Sequence, residues 1–367
     1  MKNTFGTSVT LTLFGESHGA EIGCVIDGVA PGIPVSEEKI AAALSRRRPQ
    51  GAISTGRQES DPFRIVSGVY KGKTSGTPIC ILIPNTAQRS EDYASFTRLR
   101  PGHADLTAFQ KYHGYQDPRG GGHFSGRITA PLVAAGALLT EALLQKGVVI
   151  GTRIRHIAGV YDRPFQDLET DLALLKGRSF PVLDEAAGEK MQRAILEAKK
   201  EGDSVGGVLE TVVSGFPAGV GEPWFDSMES LLSHALFSIP AVKGVEFGDG
   251  FALSALRGSE ANDPICLDEK GNITTRTGHN GGINGGITNG APLRFACAVK
   301  PTPTLSLEQD SVVLATGEAI RLSSGGRHDP CIVHRAAVVV ESVTALVLAD
   351  ALATRFGTDR LSSEAEK

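Results

Sequence analysis

Three loop segments of this chain carry polar side chains that could bind an anion and transfer protons. Residues 325–333 place an arginine, a histidine and an aspartate side by side between two glycines and a proline. Glycine and proline at these positions exclude regular helix or strand, so the polar side chains lie on a rigid turn. Residues 15–19 and 100–105 have the same character. If the three segments meet in space, they predict a pocket for an anionic substrate and acid–base chemistry.

Arginine is concentrated at Arg46, Arg47 and Arg48, with Arg57 shortly after them. Such a cluster is typical of a solvated helix end that complements the helix dipole. It could equally bind a phosphate or a carboxylate, for which the guanidinium is a preferred partner. The sequence leaves both interpretations open.

A run of glycines within residues 119–127 precedes a predicted helix. Unpaired backbone N–H groups and the positive end of the helix dipole would bind a phosphate or a carboxylate there. A flexible connection with a solvated arginine also fits the pattern. The Gly-Lys-Ser/Thr ending of a Walker loop is missing.

Two histidines, His18 and His103, lie on loops next to glycine and are interpreted as proton donors or acceptors. No spacing of histidine, cysteine and carboxylate residues predicts a metal site. Residues 300–304 have a stiff, extended backbone that could grip a cofactor phosphate or merely end a strand. Residues 280–286 could approach a flat ring closely or form a hairpin tip.

The composition predicts a folded α/β protein with a sizeable core. The chain has 367 residues, of which 41% are apolar and 21% charged, and its net charge is −4. Nothing in this balance indicates a nucleic-acid partner. Five scattered cysteines without a C-x-x-C motif, and an N-terminus without an apolar signal segment, predict the cytoplasm. The longest apolar stretch, residues 131–144, is predicted to be too short to span a bilayer.

Alternating strands and helices are predicted to position these residues. Strands are predicted at residues 24–29, 64–70, 77–83, 148–160, 208–214 and 244–256. Helices are predicted from Ser36 to the stop at Pro49, after Asp105, from Arg127 to Gly147, and over 186–200. Residues 338–352 begin β-branched and end helical. Residues 1–357 are predicted to form one large domain, and 358–367 a polar, frayed tail.

Seven motifs together make the chain resemble the chorismate synthase family, and the match runs through nearly the whole sequence. They occupy, in the family's order, residues 15–19, 46–49, 85–90, 100–105, 125–129, 281–286 and 325–331. The resemblance implies the family's α/β (α+β) fold, a layered sandwich of β-sheets and helices. It also implies a homotetramer, with reduced flavin supplied by an external reductase.

The resemblance further implies a lyase of the shikimate pathway, and so of aromatic amino acid biosynthesis. Family members convert 5-enolpyruvylshikimate 3-phosphate to chorismate by anti-1,4-elimination of phosphate and a C6 hydrogen. They require reduced FMN (FMNH2), although the reaction has no net redox change.

Motif positions imply the roles of individual residues. His18 would protonate the leaving phosphate, His103 would stabilise reduced, anionic FMN, and Asp329 would assist proton removal at or through flavin N5. The residues implied to bind the substrate are Ser17, Arg47, Arg48, Arg57, Arg100, Arg127 and Arg327. The residues implied to hold FMN are His123, Phe124, Ser125, Pro240, Ala241, Gly285, Lys300, Pro301, Thr302, Pro303, Thr304 and Arg327.

The chain departs from the family pattern at four places. His123 stands for an arginine, Ile128 for a glutamate and Pro240 for an asparagine, and an arginine before Arg57 is missing. These changes remove polar contacts to FMN or substrate.

Two other functions fit parts of the sequence. A flavin reductase, or a bifunctional synthase that reduces its own FMN with NADPH, would share the flavin site, but no G-x-G-x-x-G strand–helix unit is present. A non-catalytic anion- or RNA-binding protein could use the arginine clusters. The low aromatic content of 6% argues against stacking on single strands.

Overall fold

Two antiparallel sheets enclose a layer of helices in the computed structural model of the chain. The structure describes residues 2–55, 60–86, 98–268, 271–323 and 329–362. The strands are β1 (Thr4–Phe5), β2 (Thr10–Gly15), β3 (Glu21–Asp27), β4 (Arg64–Ser67), β5 (Val69–Tyr70), β6 (Lys73–Thr74), β7 (Ile79–Pro84), β8 (Val149–Ile157), β9 (Val160–Tyr161), β10 (Gly207–Ser214), β11 (Val242–Phe247), β12 (Ile265–Leu267), β13 (Ile273–Thr275), β14 (Ile283–Asn284), β15 (Ile287–Thr288), β16 (Leu293–Val299), β17 (Gln309–Val312) and β18 (Ala319–Leu322).

The α-helices differ in how well local signals predict their ends. They are α1 (Glu37–Arg47), α2 (Asp105–Tyr112), α3 (Thr129–Gln145), α4 (Leu168–Leu175), α5 (Glu185–Lys200), α6 (Met228–Leu236), α7 (Gly258–Ala261) and α8 (Val333–Phe356). Ser36 caps α1 by accepting a hydrogen bond from the Lys39 N–H, and Arg48 leaves the helical conformation just before Pro49.

The first sheet has the strand order β1-β2-β3-β7-β4, and the second β11-β16-β10-β8-β9. Each neighbouring pair in both sheets is antiparallel. Along β7, Ile79, Ile81 and Ile83 are fully buried and alternate with partly exposed residues. This period of two turns one face of the sheet towards the helices.

Helices α3 and α8 form the central layer, with α3 against β3 and β7 and α8 against β8 and β10. They pack closely, because a Cβ atom on Gly136 of α3 would lie 2.2 Å from the Cβ of Ser342 on α8. Helix α8 is buried on all sides for most of its length, as expected of a helix inside a core. The predicted layered α/β (α+β) sandwich in one large domain is confirmed.

Several predicted boundaries were wrong. Residues 338–352 are helical throughout, because α8 already begins at Val333 and tertiary packing overrides the strand preference of its valines. The predicted strand 244–256 ends at Phe247, and residues 250–255 form a 3-10 helix instead. The predicted strand 148–160 is interrupted after Ile157, where Ala158 adopts a positive φ and the chain turns into β9.

The prediction that the longest apolar segment is too short to span a bilayer does not hold by helix length alone. Residues Gly126–Gln145 and Val333–Phe356 are both long and apolar enough to cross a bilayer, yet 67% and 94% of their most apolar windows are buried in the protein. Residues 358–361 of the predicted frayed tail are in regular structure, and residues 363–367 lie outside the described residues. Thr358–Leu361 form a 3-10 helix in which Leu361 is fully buried.

Candidate active site

A cavity of about 1500 Å³ opens between the end of α1, the loops around residues 100 and 120, the 300–304 segment and the start of α8. Its lining includes the predicted site residues Arg47, Arg100, His103, His123, Phe124, Ser125, Arg127, Pro240, Ala241, Lys300, Thr302, Pro303, Thr304 and Asp329. The predicted sites from distant parts of the sequence therefore meet in one place.

The three consecutive arginines at the end of α1 point to different partners. Arg46 forms a bidentate ion pair with Glu341 of α8, at 2.6 and 3.0 Å, outside the cavity lining. Arg47 and Arg48 instead approach the carboxylate of Asp61, at 2.9 and 3.8 Å. Successive residues of a helix point in different directions, so only part of the cluster can serve one site.

Asp61 lies at the centre of a group of charges that we call the cavity cluster, formed by Arg47, Arg48, Asp61 and Arg127. Arg127 donates to Asp61 Oδ1 and, at 3.0 Å, to the side-chain oxygen of Asn85. Burial alone would raise the pKa of Asp61, but the guanidinium groups of Arg47 and Arg127 outweigh it and hold that pKa below its usual range. The carboxylate is therefore ionised, and the cluster keeps a formal charge of +2 from three cations and one anion.

Part of the hydrogen-bonding capacity of this cluster is not used. The buried Nε atoms of Arg47 and Arg48 find no hydrogen-bond partner among the described residues. Burial lowers the pKa of Arg47, and so does the charge of Arg335, although Asp61 opposes both. An anionic ligand could accept hydrogen bonds from these donors and would balance the excess positive charge.

Asp329 faces the same cavity from the start of α8. Its Oδ1 accepts a hydrogen bond of 2.9 Å from the Thr55 N–H, and its Oδ2 is paired with Arg335. Arg335 also donates to the carbonyl oxygen of Arg47 at 2.7 Å, so one guanidinium fixes Asp329 relative to the cavity cluster.

His18 lies directly behind the cavity wall, and its side chain is almost completely buried. A Cβ atom on Gly120, which lines the cavity, would lie 2.2 Å from His18 Cε1, and only glycine allows this approach. Ser17 Oγ lies 3.1 Å from His18 Nδ1 and within the same distance of the carbonyl oxygens of Arg119 and Gly120. Asn85 holds the loop by donating to Glu16 and Gly19 carbonyl oxygens.

His103 joins the cavity to the 300–304 segment. Its Nε2 lies 2.5 Å from Thr304 Oγ1, and Lys300 Nζ donates to the Gly102 carbonyl at 2.8 Å. Arg100 is held by Asp105 at 2.7 and 2.8 Å. Burial would raise the pKa of Asp105, but Arg100 outweighs it and lowers that pKa.

The remaining predicted flavin residues approach the cavity from two sides. His123 donates from Nδ1 to the Gly15 carbonyl at 2.8 Å, and Ser125 caps the 3-10 turn that carries Arg127. On the other side, Ala241 adopts a positive φ of 74° and its carbonyl accepts from the Lys300 N–H. Thr302 Oγ1 is buried and has no hydrogen-bond partner in the described part of the chain.

Some predicted site residues do not line this cavity. Gly285 forms the turn of the β14–β15 hairpin, whose next residue Gly286 packs against the start of α6. Pro301 lies beneath Gly206, and Arg48, Ser17 and His18 stand behind the lining. Arg57 and Arg327 lie outside the described residues.

Sequence reasoning missed Asp61 and Arg335. Asp61 carried only a weak signal, an Asp-Pro dipeptide shortly after the arginine cluster. Arg335 carried none, because it lies six residues beyond Asp329 and meets it only through the turn that starts α8.

The fold and the cavity are those expected of an enzyme with a small-molecule substrate, and comparisons with known proteins identify the family. A sequence model of the chorismate synthase family matches residues 9–353. Chorismate synthases of Chitinophaga pinensis and Porphyromonas gingivalis are 45% and 46% identical to the chain, over 95% and 97% of it and 96% and 97% of their own lengths. A crystal structure of a chorismate synthase superposes with a TM-score of 0.76 at 28% identity, over 99% of this chain and 98% of that one.

The chain therefore belongs to the chorismate synthase family. It is accordingly a lyase, in a family that serves the biosynthesis of chorismate and the aromatic amino acids.

Proposed function

We propose that this chain converts 5-enolpyruvylshikimate 3-phosphate to chorismate, with reduced FMN bound in the same cavity. The observation that carries the proposal is the meeting of a cluster of charge +2 with His103 and Asp329 around one cavity, and with His18 just behind its wall. The substrate has two carboxylates and a phosphate, so its negative charges can balance the positive charge of this cluster.

The residues present fit reduced FMN. Lys300, Thr302 and Thr304 offer a cation and two hydroxyls along one wall, and the buried hydroxyl of Thr302 has no partner in the described chain. Pro240 and Ala241 stand beside this segment, and His123, Phe124 and Ser125 approach from the opposite loop. Gly285 and Pro301 do not reach the cavity within one subunit, and Gly285 would reach a flavin only across a subunit boundary of the proposed homotetramer.

The reaction needs a positioned proton donor and a positioned proton acceptor. The C6–H bond of the substrate breaks and its electron pair forms a new double bond in the ring. The existing ring double bond shifts by one position, and phosphate leaves with the electrons of its allylic C–O bond. When bound, reduced FMN supplies electron density that eases cleavage of the allylic C–O bond. His18 holds a proton for the leaving phosphate, while Arg47 and Arg127 at the cavity wall bind the substrate's anionic groups and Arg48 behind them adds positive charge.

Asp329 is proposed to assist removal of the proton lost from C6. Thr55 and Arg335 hold its carboxylate in a fixed orientation at the cavity wall, so no reorganisation energy is needed when the proton is transferred. His103, bound to Thr304, places an imidazole beside the proposed flavin wall. Supply of reduced flavin by a separate reductase in the cytoplasm completes the proposal, and five free cysteines fit a reducing compartment.

The test is an anaerobic assay with 5-enolpyruvylshikimate 3-phosphate and dithionite-reduced FMN. We expect equal amounts of chorismate and phosphate, and none with oxidised FMN. His18→Ala and His103→Ala should each lower turnover by about 10² to 10⁴, the range for a lost proton-transfer partner. Absence of chorismate at saturating reduced FMN would overturn the proposal, and full turnover in both variants would overturn the assigned roles. Oxidation of NADPH by the chain alone would favour a bifunctional synthase.

A further inference from the structure

Asp61 combines complete burial with an unusual backbone conformation. Its side chain is inaccessible to solvent, and its φ is +48°, directly before Pro62. Residues other than glycine seldom adopt this region, and they keep it only where their surroundings fix them. The surroundings of Asp61 are the guanidinium groups of Arg47, Arg48 and Arg127.

We infer that Asp61 is a positioning residue, which holds Arg47 and Arg127 in the geometry that binds the anionic groups of the substrate. This inference rests on the proposed function and deepens it, because it explains how an interior anion can assist the binding of another anion.

The two oxygens of the carboxylate are divided between the two arginines that line the cavity. Oδ2 accepts from Arg47 Nη2 at 2.9 Å, and Oδ1 accepts from Arg127. These arginines come from the end of α1 and from the 3-10 turn before α3, so the carboxylate joins two elements that are far apart in sequence. Without it, like charges would repel each other in a buried site, and the guanidinium groups would separate.

A purely electrostatic role would have the opposite effect on binding. If Asp61 only reduced the charge of the cavity cluster, its removal would raise the formal charge from +2 to +3 and tighten the binding of an anion. If Asp61 positions the arginines, its removal weakens binding although the site becomes more cationic. The sign of the change therefore separates the two roles.

The experiment compares the wild type with Asp61→Asn, Asp61→Glu and a control, Asp162→Asn. Asp162 is also a buried aspartate beside an arginine, 3.5 Å from Arg153, but Arg153 does not line the cavity as Arg47 and Arg127 do. The readouts are KM and kcat with saturating reduced FMN, thermal unfolding, and the rise in unfolding temperature caused by inorganic phosphate without flavin.

We expect Asp61→Asn to raise KM by about tenfold or more, the usual effect of losing hydrogen bonds to charged groups, with a smaller change in kcat. The stabilisation by phosphate should fall in parallel. Asp162→Asn should lower the unfolding temperature but leave KM and the phosphate effect unchanged. Asp61→Glu keeps the charge and moves it by one methylene, so KM should also rise; this variant decides the question if Asp61→Asn does not fold.

An unchanged or lowered KM in folded Asp61→Asn would overturn the inference, as would a wild-type KM in Asp61→Glu. If the wild type binds phosphate but forms no chorismate, the proposed function is wrong and the inference about Asp61 is not affected. In that case, the positioning role would still be supported if Asp61→Asn, but not Asp162→Asn, loses the stabilisation by phosphate.

Discussion

Two buried groups of arginine and carboxylate side chains lie in this molecule, and they differ in the balance of their charges. The cavity cluster has three arginines around Asp61, next to a large cavity. The second, which we call the sheet cluster, has Arg153 between Asp162 and Glu210 on the second sheet, and none of the three lines the cavity. Asp162 additionally accepts hydrogen bonds from the Leu183 and Asp184 N–H groups.

The balance of charges distinguishes a structural group of charges from a binding site. In the sheet cluster every carboxylate is met by Arg153 or by backbone N–H groups, so its anions are compensated within the protein. In the cavity cluster the cations outnumber the anion. Buried guanidinium nitrogens without an acceptor in the described chain occur in both clusters, at Nε of Arg47 and Arg48 and at Nη1 of Arg153, so the charge excess is the feature that separates them. A buried charge excess is costly unless something neutralises it, so the imbalance points to an anionic ligand.

Replacing Arg153 should give the largest effect on stability. Arg153→Met removes the only guanidinium of the sheet cluster and leaves Glu210 buried without its 2.6 Å partner. We expect a loss of about 3 to 5 kcal/mol in the free energy of unfolding, because an uncompensated charge remains inside. Denaturant unfolding would measure it, and KM should not change.

The neighbouring Arg155 provides the control for that variant. Its pair with Glu246 is partly exposed, so Arg155→Met should cost less than about 1 kcal/mol. Equal losses in the two variants, or a raised KM in Arg153→Met, would mean that the sheet cluster is not a separate structural group.

The helix that carries Arg47 was predictable because its signals are local. Ser36, the acidic first turn and Pro49 set both ends of α1 without help from the rest of the fold. Helix α8 could not be predicted in full, because its valines favour strands and only burial between α3 and the second sheet makes them helical.

The site shows the same division between local and distant information. The motifs located His103 and Asp329 at the cavity, since glycine and proline in their loops mark irregular structure. They did not reveal that Arg46 turns away to Glu341, or that Asp61 holds Arg47 and Arg127. Both facts depend on packing between residues far apart in the chain, which no local pattern records.

The pH dependence of stability should show an effect of intermediate size from His334, which lies beside Arg335 at the edge of the cavity cluster. Burial, assisted by the charge of Arg335, lowers the pKa of His334 to about 4. The native state therefore resists a proton that the unfolded chain takes up below about pH 6.5. Stability from this group is complete above pH 6.5 and is lost as the pH falls towards 4, by about 2 kcal/mol at pH 5.

Unfolding of the wild type and of His334→Gln at pH 7 and pH 5 would measure this contribution. The variant should lose about 2 kcal/mol less than the wild type between the two pH values. His113→Asn, a change at an exposed histidine of positive φ, controls for the loss of an imidazole. A wild-type pH dependence in His334→Gln would show that the native state does not resist protonation of His334.

The smallest effect should come from Arg48, and it tests whether the charge excess serves binding. Its side chain is 31% exposed, its pair with Asp61 is long at 3.8 Å, and it also donates to the Ser60 carbonyl, so Arg48→Ala should change the free energy of unfolding by less than about 1 kcal/mol. Arg48 stands behind the cavity lining, so its loss removes one positive charge of the cavity cluster and not a direct contact. It should nevertheless raise KM, by about tenfold at most and with kcat nearly unchanged, as steady-state kinetics would report. Arg46→Ala is the matched control two residues earlier, in the last turn of α1, because Arg46 is bound to Glu341. It should lower stability and leave KM unchanged, so a raised KM in Arg46→Ala, or an unchanged one in Arg48→Ala, would contradict the distinction between structural and binding arginines on α1.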